Sequence, residues 1–170
     1  NQRPAGREGR SGPLEETQWF TQQVLECEGA MYRLAMSIVG NTSDAADAAQ
    51  QAILIAYQRR SSLRQKESFR PWLMRILTRE CYAIVRQRKR LTTLDDLPEQ
   101  SCSDDREEGQ ELWQAVCDLN ESLRSVVVLY YYEGFQSKEI GEMLGISQDA
   151  VKARLSRARK HLRVLLEGSE

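Results

Sequence analysis

The stretch SKEIGEMLGISQDAVKARLSRARKHL, Ser137 to Leu162, decides what kind of fold this chain adopts. Its first eight residues set Ile140, Met143 and Leu144 at helical spacing, with Ser137 as a candidate cap. Gly145 supplies a tight turn, Ile146 returns to the core, and Ser147 caps a second helix. In that helix Val151, Leu155, Ala158, Leu162 and Leu165 recur in steps of four and three, which makes one buried stripe. Asp149, Lys152, Ala153, Ser156, Arg157 and Lys160 fall on the opposite side. Two short helices joined by a glycine turn, the second with basic and small residues outward, form a helix-turn-helix.

The outward residues fit a duplex. Ala153 and Ser156 are small enough to let the helix approach the major-groove floor, while Lys152 and Arg157 reach base edges or phosphates. Arg154, Arg159 and Lys160 suit the phosphate backbone, and the helix start at Ser147 and Gln148 offers free amide hydrogens to a phosphate. From Ser147 to Leu166 there are six Lys/Arg and one acid, in a chain with 24 basic and 25 acidic residues. A merely solvated basic helix, or one that binds an acidic partner, is the competing reading of this segment taken alone.

Upstream, SVVVLYYYEGF (Ser125 to Phe135) is β-branched and aromatic enough for a strand. Its continuity with the helical pattern of Leu112, Val116, Leu119 and Leu123, and Gly134 as a stop, favour a buried helix. Nothing else resembles a strand, so the expected fold is all-α: two small helical domains joined by an acidic flexible linker. Residues 1–13, rich in Gly, Pro and Arg, read as a disordered tail, 14–91 as the first domain, 92–107 as the linker and 108–170 as the second domain. Between Asp95 and Glu121 ten acidic residues stand against one arginine.

In the first domain Phe20, Val24, Cys27, Met31, Leu34 and Ile38 share one helical face, and Gly40 ends that helix. NTSD caps a second helix, about 44–60, that packs Ala46, Ala49, Ile53 and Ala56 inward. Ser68 can cap a third, with Pro71 in its first turn. There Leu73, Ile76, Leu77, Glu80 and Ile84 mark one side; Arg75, Arg79, Tyr82, Arg86 and Lys89 mark the other, flanked by Trp72 and Arg90. Interleaved cations and aromatic faces are what a single-strand binding surface requires. Trp72 as a core anchor among solvated arginines is the alternative.

Other classes find little support. No apolar run approaches the roughly 18 residues of a membrane span, and no secretory signal opens the chain, so a cytoplasmic protein is expected. Cys27, Cys81, Cys102 and Cys117 are scattered and His161 is the single histidine, which supports neither a metal site nor a disulfide framework; buried reduced thiols and no cofactor are expected. A recombinase-like enzyme would need strands to carry its nucleophile, and the three tyrosines are more economically core, so no enzymatic activity is expected. A stand-alone helix-turn-helix regulator leaves the third helix's stripe without a role.

The chain resembles an extracytoplasmic-function sigma factor of bacterial RNA polymerase from about Glu15 to Leu166. DAADAAQQAIL and FRPWLMRIL with RQRKR resemble region 2, and SLRSVVVLYYYEGFQSKEIGEMLGISQDAVKARLSRARKHL resembles region 4. The resemblance implies a non-enzymatic subunit that binds core RNA polymerase, through the clamp helices and β-flap, and promoter DNA. It places Asp47, Gln50, Gln51 and Leu54 on the clamp. Phe69, Trp72, Arg75 and Arg79 would border the melted −10 strand, and Tyr82 and Arg86 continue that stripe. Gln148, Lys152, Ala153, Arg154, Ser156, Arg157 and Lys160 would meet the −35 duplex. An anti-sigma factor is an implied partner, and no membrane insertion of its own is implied. The chain departs from the family's usual residues at Ala46 and Gln51, where acids are common, at Arg79, usually Asn, and at Ala83, often Asp.

Overall fold

The computed structural model describes residues 12–91 and 110–168, and among them every regular element is helical. Nearly all of the expected tail, and the expected acidic linker, lie outside the described residues. The first group comprises α1 (Pro13–Glu26), α2 (Glu28–Val39), α3 (Thr42–Gln58) and α4 (Phe69–Leu91). The second comprises α5 (Gln110–Cys117), α6 (Glu121–Val127), α7 (Ser137–Leu144) and α8 (Gln148–Glu167).

The helix expected to run through Phe20 and Ile38 is two helices, broken at Cys27. There the backbone flattens to φ −89°, ψ −4°, and the Cys27 N–H is shared between the carbonyls of Gln23 and Val24 at 3.2 and 3.0 Å. A tightened last turn followed by Gly29 interrupts the pattern without moving Cys27, Met31, Leu34 or Ile38 out of the core. Gly40 ends α2 in the left-handed region at φ 77°, and the Asn41 side chain accepts the Asp44 N–H at 2.8 Å to start α3. Arg88 of α4 braces this corner, donating to the Val39 carbonyl at 2.8 Å and pairing with Asp44 at 2.7 Å.

The inward stripe of α3 is Ala45, Ala48, Ala52 and Ala56, one position from the expected set at its start. Ala46 is exposed, and Ala49 and Ile53 are half-buried. Four alanines let α3 lie close on α2 and α4, and the wider Ile53 sits at the margin of that contact. Two short 3-10 turns, Arg60–Ser62 and Lys66–Ser68, lead into α4, which buries Phe69, Leu73, Met74, Ile76, Leu77, Thr78 and Cys81.

In the second group the apolar-aromatic run is helical. Asn120 caps α6 by accepting the Leu123 N–H at 3.1 Å, and α6 widens into a π-helical turn over Val128–Tyr132. Gly134, at φ 72°, reverses the chain. Ser137 is the first residue of α7 and not its cap, while the Gln136 N–H donates to Glu139 Oε2 at 2.9 Å. Gly145 ends α7 at φ 69° and Ser147 caps α8, accepting the Ala150 N–H at 3.1 Å. Gly141 carries a further constraint, because a Cβ there would lie 2.7 Å from the Ile146 carbonyl oxygen.

The two groups share one continuous core, from Phe20 in α1 to Ala158 in α8. α2 and α4 meet α6, the π turn and α7 along a common seam. Cys27 and Cys81 are free and buried, whereas Cys117 is disulfide-bonded, which corrects the reduced-thiol expectation for that residue. No spacing pattern in the sequence marked it. Burial pushes the Cys81 thiol from 9.0 up to about 12, with Glu80 adding to the effect.

Gly141→Ala should destabilise the chain by about 1–3 kcal/mol in urea melts, because backbone must move to admit the methyl group. The raised Cys81 pKa means that its stabilising contribution is complete below pH 9 and is lost as pH rises toward 12. The stability difference between wild type and Cys81→Ala should therefore shrink over that interval in guanidinium titrations.

Candidate nucleic-acid interface

Along α8, Val151, Leu155 and Ala158 are buried, and Gln148, Lys152, Ala153, Ser156, Arg157 and Lys160 are exposed on the outer face. The stripe leaves the core in the last turns: Leu162 is half-buried and Leu165 exposed. Arg154 is half-buried and turned toward α4, and Arg159 donates to the Tyr131 hydroxyl oxygen at 2.6 Å. Small residues at the centre, cations around them and a capped helix start on solvent form a surface that can enter a major groove.

On α4, Arg75, Arg79 and Arg86 are exposed and Trp72 and Tyr82 are half-buried. Trp72 leans on Phe69 with ring centres 5.8 Å apart. Phe69 itself departs from the expectation that it borders a strand: it is 1% exposed, enclosed by Trp19 and Phe20 edge-on at 5.5 and 5.6 Å. It supports Trp72 from behind. The Tyr82 hydroxyl donates to Glu121 Oε1 at 2.5 Å. Burial first, and the Glu121 carboxylate second, push that hydroxyl well above the usual tyrosine range.

Between α4 and the helix-turn-helix lies a cleft of about 520 Å³. Arg75, Arg79 and Arg86 line one wall, Arg154 stands on the other, and Glu121 and Glu142 face them. Arg154 alone represents α8 in this cleft, whose two carboxylates answer the arginines, while Lys152, Arg157 and Lys160 lie outside it. Away from this cleft, Asp47, Gln50, Gln51 and Leu54 form an exposed face of α3, opposite its alanine stripe, with Leu54 49% exposed.

Sequence reading missed the polar contacts that join the two groups. Glu133, with a side chain 1% exposed, accepts from Arg33 Nε at 2.5 Å and from Arg70 Nη2 at 2.8 Å. The buried Arg124 donates to the carbonyls of Ser37, Cys117 and Leu119 at 2.6, 2.8 and 3.1 Å. Burial lowers its pKa from the usual guanidinium value, and the Glu121 carboxylate opposes that shift. An acid closing an otherwise apolar run, as Glu133 does, was the one available signal.

Residues 24–91 match the family model described as Sigma-70 region 2, and residues 109–162 that described as Sigma-70, region 4. The chain is 31% identical over 138 residues to RNA polymerase sigma factor SigV of Bacillus subtilis, covering 79% of this chain and 83% of the relative. With ECF RNA polymerase sigma factor SigW of the same organism it shares 30% over 152 residues, 78% and 81% of the two chains. The fold resembles that of the sigma factor RpoE, solved with the anti-sigma factor NepR from Bartonella quintana: TM-score 0.70 at 24% identity, covering 87% of this chain and 96% of that one.

Arg157→Ala should weaken duplex binding by about 1–3 kcal/mol with a sequence-dependent loss, measured by anisotropy across duplex variants. A uniform loss with a shallower salt dependence would assign Arg157 to phosphate instead.

Proposed function

Because this chain belongs to the extracytoplasmic-function sigma factors of RNA polymerase, we propose that three of its helical faces divide the work of promoter recognition. It binds core RNA polymerase, recognises the −35 and −10 elements and promotes DNA melting for initiation. Residues 14–91 serve as region 2 and 108–170 as region 4, with 92–107 connecting them. The observation that carries the assignment is the pairing of two basic surfaces of different chemistry. The outer face of α8 is cationic around small Ala153 and Ser156, whereas that of α4 is cationic around Trp72 and Tyr82. The first suits a duplex groove and the second suits unstacked bases.

In this reading α8 enters the −35 major groove through Lys152, Ala153, Ser156 and Arg157, with Gln148, Arg154 and Lys160 on adjoining backbone. Trp72, Arg75, Arg79, Tyr82 and Arg86 track the displaced −10 strand, and Phe69 holds Trp72 in place. Arg79 projects a planar cation where the family usually has an amide, so it favours a base edge or phosphate that accepts two hydrogen bonds. The α3 face of Asp47, Gln50, Gln51 and Leu54 meets the clamp helices.

The chain makes and breaks no bonds itself; its contribution is binding energy that favours opened DNA. It acts in the cytoplasm, where polymerase and promoter are, and no helix among the described residues is long and apolar enough to cross a membrane. An anti-sigma factor is a further partner, supported by fold neighbours solved with NepR and with the cytosolic domain of CnrY.

Reconstitution with core RNA polymerase should yield specific run-off transcripts from promoters of the source genome. A chain that binds duplex tightly yet neither binds core enzyme nor directs initiation would instead be a stand-alone regulator. Leu54→Asp should lower core-enzyme affinity by about tenfold or more, since it removes an apolar contact of about 1.5–3 kcal/mol. Duplex binding by the free chain should not change.

A further inference from the structure

Of the three consecutive tyrosines expected in the core, Tyr131 is the most exposed, at 52%. Tyr130 packs edge-on against it with ring centres 4.9 Å apart, which fixes how the phenol leaves the π turn. The Tyr131 hydroxyl oxygen accepts from Arg159 Nε of α8 at 2.6 Å, and that guanidinium carbon stands 5.8 Å from the Tyr131 ring centre. An exposed arginine ordinarily samples many rotamers, and ordering it opposes binding. Here the π turn holds it in place beforehand.

The pair is ordered, yet its donors are not used up within the fold. Arg159 gives Nε to Tyr131 and forms no ion pair among the described residues, so both Nη groups and the full charge remain for a ligand. Because Tyr131 accepts that bond, its own O–H is still free to donate. Arg33, Arg70 and Arg88, by contrast, all commit their charge to carboxylates. A planar fork of donors beside a hydroxyl donor is matched to the oxygens of a phosphate.

The place of Arg159 on α8 says which phosphate. A helix about 10–12 Å across fills a major groove about 12 Å wide, so its flanks meet the sugar-phosphate walls. Arg159 is exposed about two turns beyond Lys152 and about 20° further round, on the flank of the face that holds Lys152, Ala153 and Ser156. It also lies about 16 Å along the axis from Gln148, against a groove depth of about 8.5 Å. With the helix start on base edges, Arg159 is therefore toward the rim of the groove. Arg154, on the opposite flank, is half-buried and turned toward α4, which leaves Arg159 the more available of the two.

Resting on the sigma-factor reading, we propose that Tyr131 and Arg159 form a phosphate clasp on the flank of α8. The Arg159 Nη groups and the Tyr131 hydroxyl bind one phosphodiester of the −35 duplex, and Tyr131 is the positioning residue for the arginine. The contact fixes the depth and register of α8 in the groove and reads no base.

The test is anisotropy over a salt series with the full chain and labelled mixed-sequence duplexes of about 20 base pairs. It compares wild type with Tyr131→Phe, Arg159→Gln, Arg159→Lys and the double variant of Tyr131→Phe with Arg159→Gln. Arg159→Gln should weaken binding about tenfold on every duplex alike and flatten the log–log salt dependence by about 0.9, the value of one phosphate. Arg159→Lys should lose affinity but keep the slope, since the charge stays and the fork goes. Tyr131→Phe keeps the ring and removes the hydroxyl; it should weaken binding about threefold or more alone, and clearly less when Arg159→Gln is already present. Should Arg159→Gln lose helicity by circular dichroism, Arg159→Lys and Tyr131→Phe decide. The clasp is overturned if the folded variants bind duplex as wild type does with an unchanged slope, or if the two losses simply add. Run-off transcription by wild type with core enzyme separates the two ideas: success with unaltered duplex binding by the variants keeps the sigma factor and removes the clasp. Failure of run-off together with no duplex binding by wild type removes both.

Discussion

A carboxylate taken out of water must be neutralised where it stands, and Glu133 meets that requirement only while α2 and α4 are both against the π turn. Moving an ion into the interior costs several kcal/mol after relaxation, and a second charge offsets it only with good geometry. Here two guanidinium groups converge on the two carboxylate oxygens. Arg124 imposes the reverse condition. Its buried cation is bound by carbonyls at the ends of α2 and α5 and just beyond, where helix termini leave acceptors unsatisfied and partially negative. A seam fixed by such charges has one register, since sliding either group by a helical turn would strand a buried charge.

That register determines which surfaces the molecule offers. α3 is held through its alanines against α2 and α4, so its polar face is turned away from the seam. α8 is held through Val151, Leu155 and Ala158, so its small and basic residues face outward. α4 alone is shared: its apolar side builds the first group's core, and its cationic side borders the cleft that faces the second group, with Tyr82 half-buried and Arg75, Arg79 and Arg86 exposed. The second group reaches that side through the Tyr82–Glu121 contact and leaves its arginines exposed.

The elements with local signals were legible. Glycine stops at Gly40, Gly134 and Gly145, the Ser147 cap and the apolar stripe of α8 each depend on residues within a turn or two, which periodicity can read. What escaped was long-range. Glu133 finds partners 100 and 63 positions away, and Arg124 reaches a carbonyl 87 positions away. The burial of Phe69 has the same origin: the resemblance set it at the border of the melted strand, yet Trp19 and Phe20, from the start of the chain, close over it. The break at Cys27 was invisible because both helices keep the same buried face across it. Of the candidate site, the exposed residues of α3 and α8 were readable from their own helices, whereas the contact between Tyr82 and Glu121, 39 positions apart, belonged to no single segment.

The π turn explains how a run as apolar as SVVVLYYY can end on a buried acid. One extra residue per turn rotates everything beyond it by about 100° relative to a continuous α-helix. Val128 and Leu129 stay in the core, Tyr131 and Tyr132 turn to the surface, and Glu133 turns inward, with its N–H donating to the Val128 carbonyl at 3.0 Å. In uninterrupted α-helical register Glu133 would be displaced by that angle from Arg33 and Arg70, and Tyr131 from its contact with Arg159. The local expansion therefore connects the two ends of the second group: the same turn that aims Glu133 at the seam sets Tyr131 against Arg159 of α8. Packing at the seam and the placement of α8 are consequently one adjustment of a single segment.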